Sequence, residues 1–240
     1  MTKQKLDELI ENKSIWKEFE EEMKFQEDSI VESLGPINPS PLKSAKTQIR
    51  EKKQRAKEIM DLISQDITIA TQAFINECSP EEKMRLDQIF DNMALQLKTF
   101  AEKKEAAPIP VEDCEFMEEI AKRKLLKQEF QEAGRMFRFI LQLNFIYSGA
   151  WVGWAISEQE QQHWDVVDQI FYIATTSMPH DSYIALFAAD FYTLTNQLQR
   201  AVEILQQTKT QLIENNQQTS KSFELVNQSL ERLQSSLQGG

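Results

Sequence analysis

Residues 148–181 read SGAWVGWAISEQEQQHWDVVDQIFYIATTSMPHD, and residues 182–215 read SYIALFAADFYTLTNQLQRAVEILQQTKTQLIEN. The two stretches align without a gap at a step of 34 residues, and residues 114–147 precede them at the same step. Small side chains recur at positions 8 and 20 of the step, and bulky ones at positions 17 and 24. The recurring residues are Ala121, Ala155 and Ala189; Ala133, Val167 and Ala201; Phe130, Trp164 and Leu198; and Phe137, Phe171 and Leu205.

This pattern resembles the tetratricopeptide repeat, in which each unit is a pair of antiparallel helices. We expect positions 8 and 20 to lie where the two helices cross, and the large aromatic residues Trp151, Trp154, Trp164 and Phe171 to fill the core. One unit cannot bury its apolar face alone. The sequence therefore predicts an all-α fold of about three stacked repeats with a C-terminal capping helix, preceded by N-terminal helices.

Two proline-containing breaks divide the rest of the chain, because proline disfavours helix at its own position and before it. The predicted parts are an N-terminal helix over 1–34, a helical hairpin over 42–105 and the repeat domain over 113–235. Ser79, Pro80 and Glu82 have the spacing of a capping box at a new helix start. Asp113 is the expected cap of the first repeat helix. The helical pattern continues from Gln197 to about Leu233, and its part from Thr208 to Leu233 is the expected C-terminal cap.

Composition argues against several functions. The formal net charge of -11 disfavours non-specific binding to nucleic acid, which needs basic surface. The two His and two Cys residues lack metal-ligand spacing, and no phosphate-binding loop or nucleophile elbow is present, so we expect no metal, no cofactor and no enzyme activity. No signal-peptide pattern or apolar run long enough for a membrane span is present. Two free thiols in a reducing cytoplasm are the expectation.

Two features allow more than one interpretation. The basic block 43–57 either binds nucleic acid or anionic lipid, or forms an ordinary charged helix face. The 1–34 helix either pairs in a homodimer or covers part of the repeats, and its apolar spacing is too irregular to predict a coiled coil.

The expected binding surface is the concave face of the repeats, which the first helix of each unit lines. Because this face mixes apolar and polar groups and has a single basic residue, it suits an apolar extended peptide better than a peptide carboxylate. The predicted groove residues are Glu118, Lys122, Leu125, Val152, Ile156, Gln159, Tyr183, Leu186, Asp190 and Thr193.

The segment Ser148–Ala155, with its alternation of aromatic and small residues, is similar to the middle repeat of the class II chaperones of bacterial type III secretion. Met178–Pro179 with Tyr183–Tyr192, and Gln197–Val202 after them, resemble the third repeat of that family. The resemblance covers about residues 114–210. Lys124, Phe145 and the alanines at position 8 depart from the family pattern, and the first 110 residues exceed its short N-terminal arm.

This resemblance implies a cytoplasmic bacterial chaperone that holds a hydrophobic secreted translocator protein in its groove and keeps it soluble before export. The alternative is a helical scaffold of a secretion apparatus, in which the N-terminal helices make the assembly contacts and the repeats only dock.

Overall fold

The computed structural model describes residues 67–103 and 108–238, together with residues 50, 54 and 57. All regular secondary structure in these residues is helical, which confirms the predicted all-α class. The predicted helix over 1–34, its possible homodimer contact and most of the basic block 43–57 lie outside the described residues. The helices are α1 (Ile67–Glu77), α2 (Pro80–Lys103), α3 (Val111–Leu126), α4 (Phe130–Leu143), α5 (Ser148–Glu160), α6 (Trp164–Ser177), α7 (Ser182–Leu194), α8 (Leu198–Glu214) and α9 (Lys221–Gln238).

The 34-residue step is visible in the backbone. The second helix of each pair begins at Phe130, Trp164 or Leu198, and so at steps of 34 residues. The residue two positions earlier has left-handed backbone in every pair, with φ of 61° at Gln128, 62° at Gln162 and 59° at Asn196. A single residue of this kind reverses the chain and ends a helix. The same turn therefore joins the two helices of each pair.

Small side chains keep the paired helices close. The alanines at position 8 and the Ala or Val side chains at position 20 are all at most 3% exposed. Gly153 shows the tightest approach, because a Cβ atom there would lie 2.5 Å from Cδ1 of Phe137. Position 17 differs from expectation: Trp164 is 42% exposed and does not belong to the core. It opens α6 beside a turn, where its ring is only partly covered.

By its internal contacts the chain divides into two compact units, Met1–Val167 and Asp168–Gly240. In the first unit, α1 and α2 contact the first repeat. The ring of Phe139 on α4 lies 5.9 Å from Phe74 on α1 and 5.9 Å from Phe90 on α2. The described part of the predicted hairpin therefore shares a core with the first repeat.

The capping box at the start of α2 is confirmed. The Ser79 amide donates to Glu82 Oε2 over 2.8 Å, and the Glu82 amide donates to Ser79 Oγ over 3.3 Å. Asp113 is not the cap of α3, contrary to prediction, because that helix already begins at Val111, after Pro110. Proline fits ahead of the first turn because that position needs no backbone donor. Asp113 instead forms an ion pair of 3.4 Å with Arg85 of α2.

In the second unit, α9 packs against α8 and α7, the two helices of the third repeat. Leu212, Val226 and Leu230 are buried between these helices. The predicted capping segment 208–233 is not continuous, because residues 215–220 form a turn and the capping helix begins at Lys221. Asn216 has a φ of 58°, so this turn repeats the left-handed geometry of the repeat turns.

Candidate peptide-binding surfaces

In the first unit, the predicted groove residues differ widely in exposure. Val152 is 1% exposed and Glu118 is 8% exposed, so neither offers much surface to a peptide. The other four predicted residues of this unit are half-buried: Lys122, Leu125, Ile156 and Gln159.

Glu118 is the centre of a small polar cluster. Its carboxylate accepts a hydrogen bond from Tyr147 Oη and lies 3.0 Å from Lys122 Nζ. It also covers Gly149, where an added Cβ would lie 2.6 Å from Glu118 Oε2. Burial opposes the charge on Lys122, but its hydrogen bonds to Glu118 and Glu119 raise the pKa of the ammonium. The one basic residue of the predicted groove is therefore already paired within the protein.

Position 11 of each repeat holds a buried polar side chain that sequence reasoning did not identify as a distinct feature. The three residues are Lys124, at 8% exposure, Glu158, at 8%, and Tyr192, at 0%. A polar group is buried at little cost only when it has partners. Each of the three does have partners, described next.

In the first repeat, Lys124 lies among three carboxylates. Its Nζ is 2.9 Å from Glu132 Oε2 and 3.5 Å from Glu77 Oε2, and Glu129 is also in contact. Burial disfavours the charged ammonium, but hydrogen bonds to Glu129 and Glu132 raise the pKa of Lys124. Because Glu77 belongs to α1, this cluster ties α1 to the first repeat.

In the second repeat, three donor groups lie within hydrogen-bonding distance of the Glu158 carboxylate. Glu158 Oε1 accepts from Trp154 Nε1 over 2.9 Å and lies 3.3 Å from Arg138 Nη1. Glu158 Oε2 lies 2.7 Å from His163 Nδ1. The Arg138 guanidinium also stands 5.6 Å from the Trp154 ring centroid. This cluster fixes α5 to α4 from within the core.

In the third repeat, the buried polar side chain at position 11 is Tyr192. Its hydroxyl donates to Asp168 Oδ1 over 2.9 Å, and the guanidinium of Arg200 contacts the same carboxylate. Arg200 stands 4.2 Å from the Tyr192 ring centroid. Burial raises the pKa of the Tyr192 hydroxyl. The cluster therefore holds a neutral phenol between α6 and α8.

The second unit contains an exposed helix face that combines apolar side chains with a carboxylate. We call it the α7 face and define it as Tyr183, Phe187, Asp190 and Leu194. At about 100° per residue these four positions fall within about 60° of one another around the helix. Tyr183 is 44% exposed and Leu194 62% exposed. The Tyr183 and Phe187 rings stack edge to face, with centroids 4.9 Å apart.

Besides Tyr183, three other predicted groove residues flank or belong to this face. Leu186 is half-buried beside it, and Thr193 is exposed with its hydroxyl bonded to the Ala189 carbonyl over 2.7 Å. Asp190 is exposed, and among the described residues its carboxylate has neither a hydrogen bond nor an ion pair. Partial burial by its neighbours raises the pKa of Asp190. Sequence reasoning missed Phe187, although its helical spacing from Tyr183 signals the shared face.

Within residues 67–93 and 108–235, whose side chains are described, no group of three or more His, Cys, Asp or Glu side chains could hold a metal ion. None of the described helices is both long enough and apolar enough to span a membrane. Cys78 and Cys114 are free thiols and are buried. The described chain does offer exposed apolar side chains on packed helices.

These features define an all-helical protein built from repeated helix pairs. No protein-family model matches the sequence, and no curated protein matches it. One solved chain is similar to it, from a structure described as "CopN-Scc3 complex", with 20% sequence identity and a TM-score of 0.40. The match covers 53% of this chain and 70% of that one.

Proposed function

We propose that this protein is a non-enzymatic bacterial chaperone that binds an apolar segment of a secreted, translocator-type protein in the cytoplasm and keeps it soluble before type III export. The observation that carries the proposal is the α7 face, where the exposed Tyr183 ring, the half-buried Phe187 ring and the exposed Leu194 lie together on an otherwise well-packed repeat. Stacked helix pairs with such surfaces are suited to holding peptides.

The chemistry of the α7 face favours an apolar segment over a peptide carboxylate. Tyr183 and Phe187 offer ring surface, and the one charge on the face is negative, at Asp190. A carboxylate terminus would meet this charge with repulsion. In the first unit, the one basic candidate of the groove, Lys122, is paired with Glu118 and Glu119. The function therefore needs burial of apolar client surface and no bond-breaking step.

Co-expression tests the proposal. The full chain, tagged, is expressed with hydrophobic secreted proteins of the same organism, and the soluble, co-purified fraction of each client is measured. The double variant Tyr183→Ser with Phe187→Ser removes the aromatic pair and is expected to leave the client in the pellet. Leu225→Ser is the matched control, because Leu225 on α9 is 41% exposed and Tyr183 is 44% exposed.

The helicity and thermal midpoint of each variant are measured first, so that loss of binding is not confused with loss of folding. The proposal is wrong if clients stay equally soluble with the double variant and with the unaltered chain. It is also wrong if no secreted hydrophobic protein gains solubility from co-expression.

A further inference from the structure

Asp190 is the one charged group on the α7 face. It lies one turn after Phe187 and one turn before Leu194, and so has apolar neighbours along the helix on both sides. Most other charged side chains described in the second unit have a partner. Arg200 contacts Asp168, Lys209 contacts Asn227, and Glu203, Glu214 and Glu231 each accept from a nearby side-chain amide. Asp190 has no such partner among the described residues.

An unpaired carboxylate between apolar groups is costly to cover. When a client buries the neighbouring rings, it also removes water from Asp190, and this desolvation must be offset by a donor from the client. The pKa of Asp190 is already raised by partial burial, which indicates that desolvation has begun before any client is bound. A cationic side chain offsets this cost best, because it supplies both a charge and hydrogen-bond donors.

The spacing along α7 fits an extended chain. At a rise of about 1.5 Å per residue, the centre of the Tyr183–Phe187 pair lies about 7.5 Å from Asp190 along the axis, and Leu194 lies about 6 Å beyond Asp190. Side chains on one face of an extended peptide recur about every 6.6 to 6.8 Å. Three alternate residues of a client can therefore meet the aromatic pair, the carboxylate and the leucine in that order.

We propose that the α7 face selects extended client segments in which a Lys or Arg stands between two apolar residues at alternate positions, with Asp190 receiving the basic side chain. This inference rests on the proposed function and adds a charge requirement to it. With this charge requirement, hydrophobicity alone does not make a segment a client. A segment with an acidic residue at the central position is disfavoured, because that residue would face Asp190.

The test uses three labelled peptides that differ only at the centre: GSFSKSLSG, the same sequence with Glu for Lys, and the same sequence with norleucine for Lys. Each is titrated into the full chain, and the dissociation constant is followed by fluorescence anisotropy. The Lys peptide is expected to bind about three- to tenfold more tightly than the Glu peptide, and the difference is expected to shrink at 1 M salt.

Charge changes on the protein complete the test. Asp190→Asn should remove the preference for Lys, and Asp190→Lys should reverse it in favour of Glu. Glu224→Gln on α9 is the control and should change nothing, because Glu224 lies outside the α7 face.

The possible failures are distinguishable. If all three peptides bind equally and Tyr183→Ser weakens them equally, the charge requirement is wrong and binding at the α7 face stands. If Tyr183→Ser and Phe187→Ser leave the binding of every peptide unchanged, this face does not bind peptides and the inference fails together with the function on which it rests.

Discussion

The indole nitrogen of Trp154 donates a 2.9 Å hydrogen bond to the carboxylate of Glu158, one turn further along α5. Both residues are nearly fully buried, and Arg138 of α4 approaches the same carboxylate oxygen. The carboxylate oxygen therefore accepts from one donor on its own helix and from one donor on α4. The contact between Arg138 and Glu158 gives α4 and α5 a polar connection in addition to their apolar packing.

Removing this carboxylate should be costly. Glu158→Ala leaves the Arg138 charge in the core without its carboxylate, and loss of one partner of a buried ion pair typically costs about 3–5 kcal/mol. Urea unfolding followed by circular dichroism measures the change. Glu160→Ala, two residues on and exposed, is the control and should change stability by about 0.5 kcal/mol or less. A similar small change for Glu158→Ala would contradict the structural role assigned to the cluster.

The close approach of α4 and α5 predicts opposite effects for two glycines. Gly153→Ala pushes a methyl group into the Phe137 ring and should destabilise the protein by about 1–3 kcal/mol. Gly134→Ala places its methyl group 3.4 Å from Ser157 Cβ, an ordinary contact. It should therefore be neutral or stabilise by up to about 1 kcal/mol, because alanine favours helix over glycine. Thermal unfolding of both variants is the measurement, and equal midpoints would contradict the prediction.

The left-handed turn residues offer a stabilising change. Gln162 has a φ of 62°, a conformation that costs a side-chain-bearing residue about 1–2 kcal/mol and glycine almost nothing. Gln162→Gly should therefore stabilise the protein by about 0.5–1 kcal/mol, after the greater freedom of glycine in the unfolded chain is subtracted. Gln161→Gly is the control: this residue has a φ of -88°, so the change should destabilise instead. Urea midpoints that move in the same direction for both variants would refute the argument.

The repeat step predicted much of this fold because it depends on local sequence. Small residues at positions 8 and 20 identified the helix crossings, and the start of each second helix follows the same step. Partners distant in sequence were not predictable: Lys124 meets Glu77 across 47 positions (124 − 77), and no local pattern joins them. The turn at 215–220 has a sequence signal in Asn215–Asn216, but the apolar pattern continues on both sides and by itself does not indicate the break.

The binding surface was predictable only in part. Spacing along α7 placed Tyr183, Leu186 and Asp190 on or beside one face, but burial depends on which helices pack around a position. Val152 illustrates the limit: its position in the repeat predicts a groove residue, while the packed structure leaves it 1% exposed. Trp164 illustrates the reverse, since a bulky residue expected in the core lies partly at the surface.

The contact of α2 with the first repeat should weaken in acid. The Arg123 guanidinium hydrogen-bonds the Glu82 carboxylate, at 2.9 Å from Nη1 to Oε2, and the Ser79 amide donates to it as well. Together these donors lower the pKa of Glu82 from 4.5 to about 2. A carboxyl whose pKa is lower in the folded state stabilises the fold above its unfolded pKa, and this contribution is lost as the pH falls toward 2.

Glu82→Gln tests this sign. The variant should be less stable than the unaltered chain at pH 7, and the difference should close between about pH 4.5 and pH 2. Urea midpoints measured across this range give the comparison. Glu81→Gln, an exposed change in the same turn, is the control and should follow the unaltered chain throughout. A stability gap that stays constant down to pH 2 would show that Glu82 acts by packing and not by its charge.

The two thiols should resist modification until the protein opens. Burial raises the pKa of Cys78 to about 11 and that of Cys114 to about 12. The rise in the pKa of Cys78 from 9.0 to about 11 lowers its thiolate population at pH 8 about a hundredfold, and the thiolate is the reactive form. Iodoacetamide at pH 8, followed by mass spectrometry, should label neither residue in the folded chain and both in urea.

Because Cys78 lies between α1 and α2, and Cys114 lies in α3, Cys78→Ser and Cys114→Ser report separately on the two places. Rapid labelling of Cys114 in the folded chain would mean that the first turn of α3 separates readily from the helices that bury it.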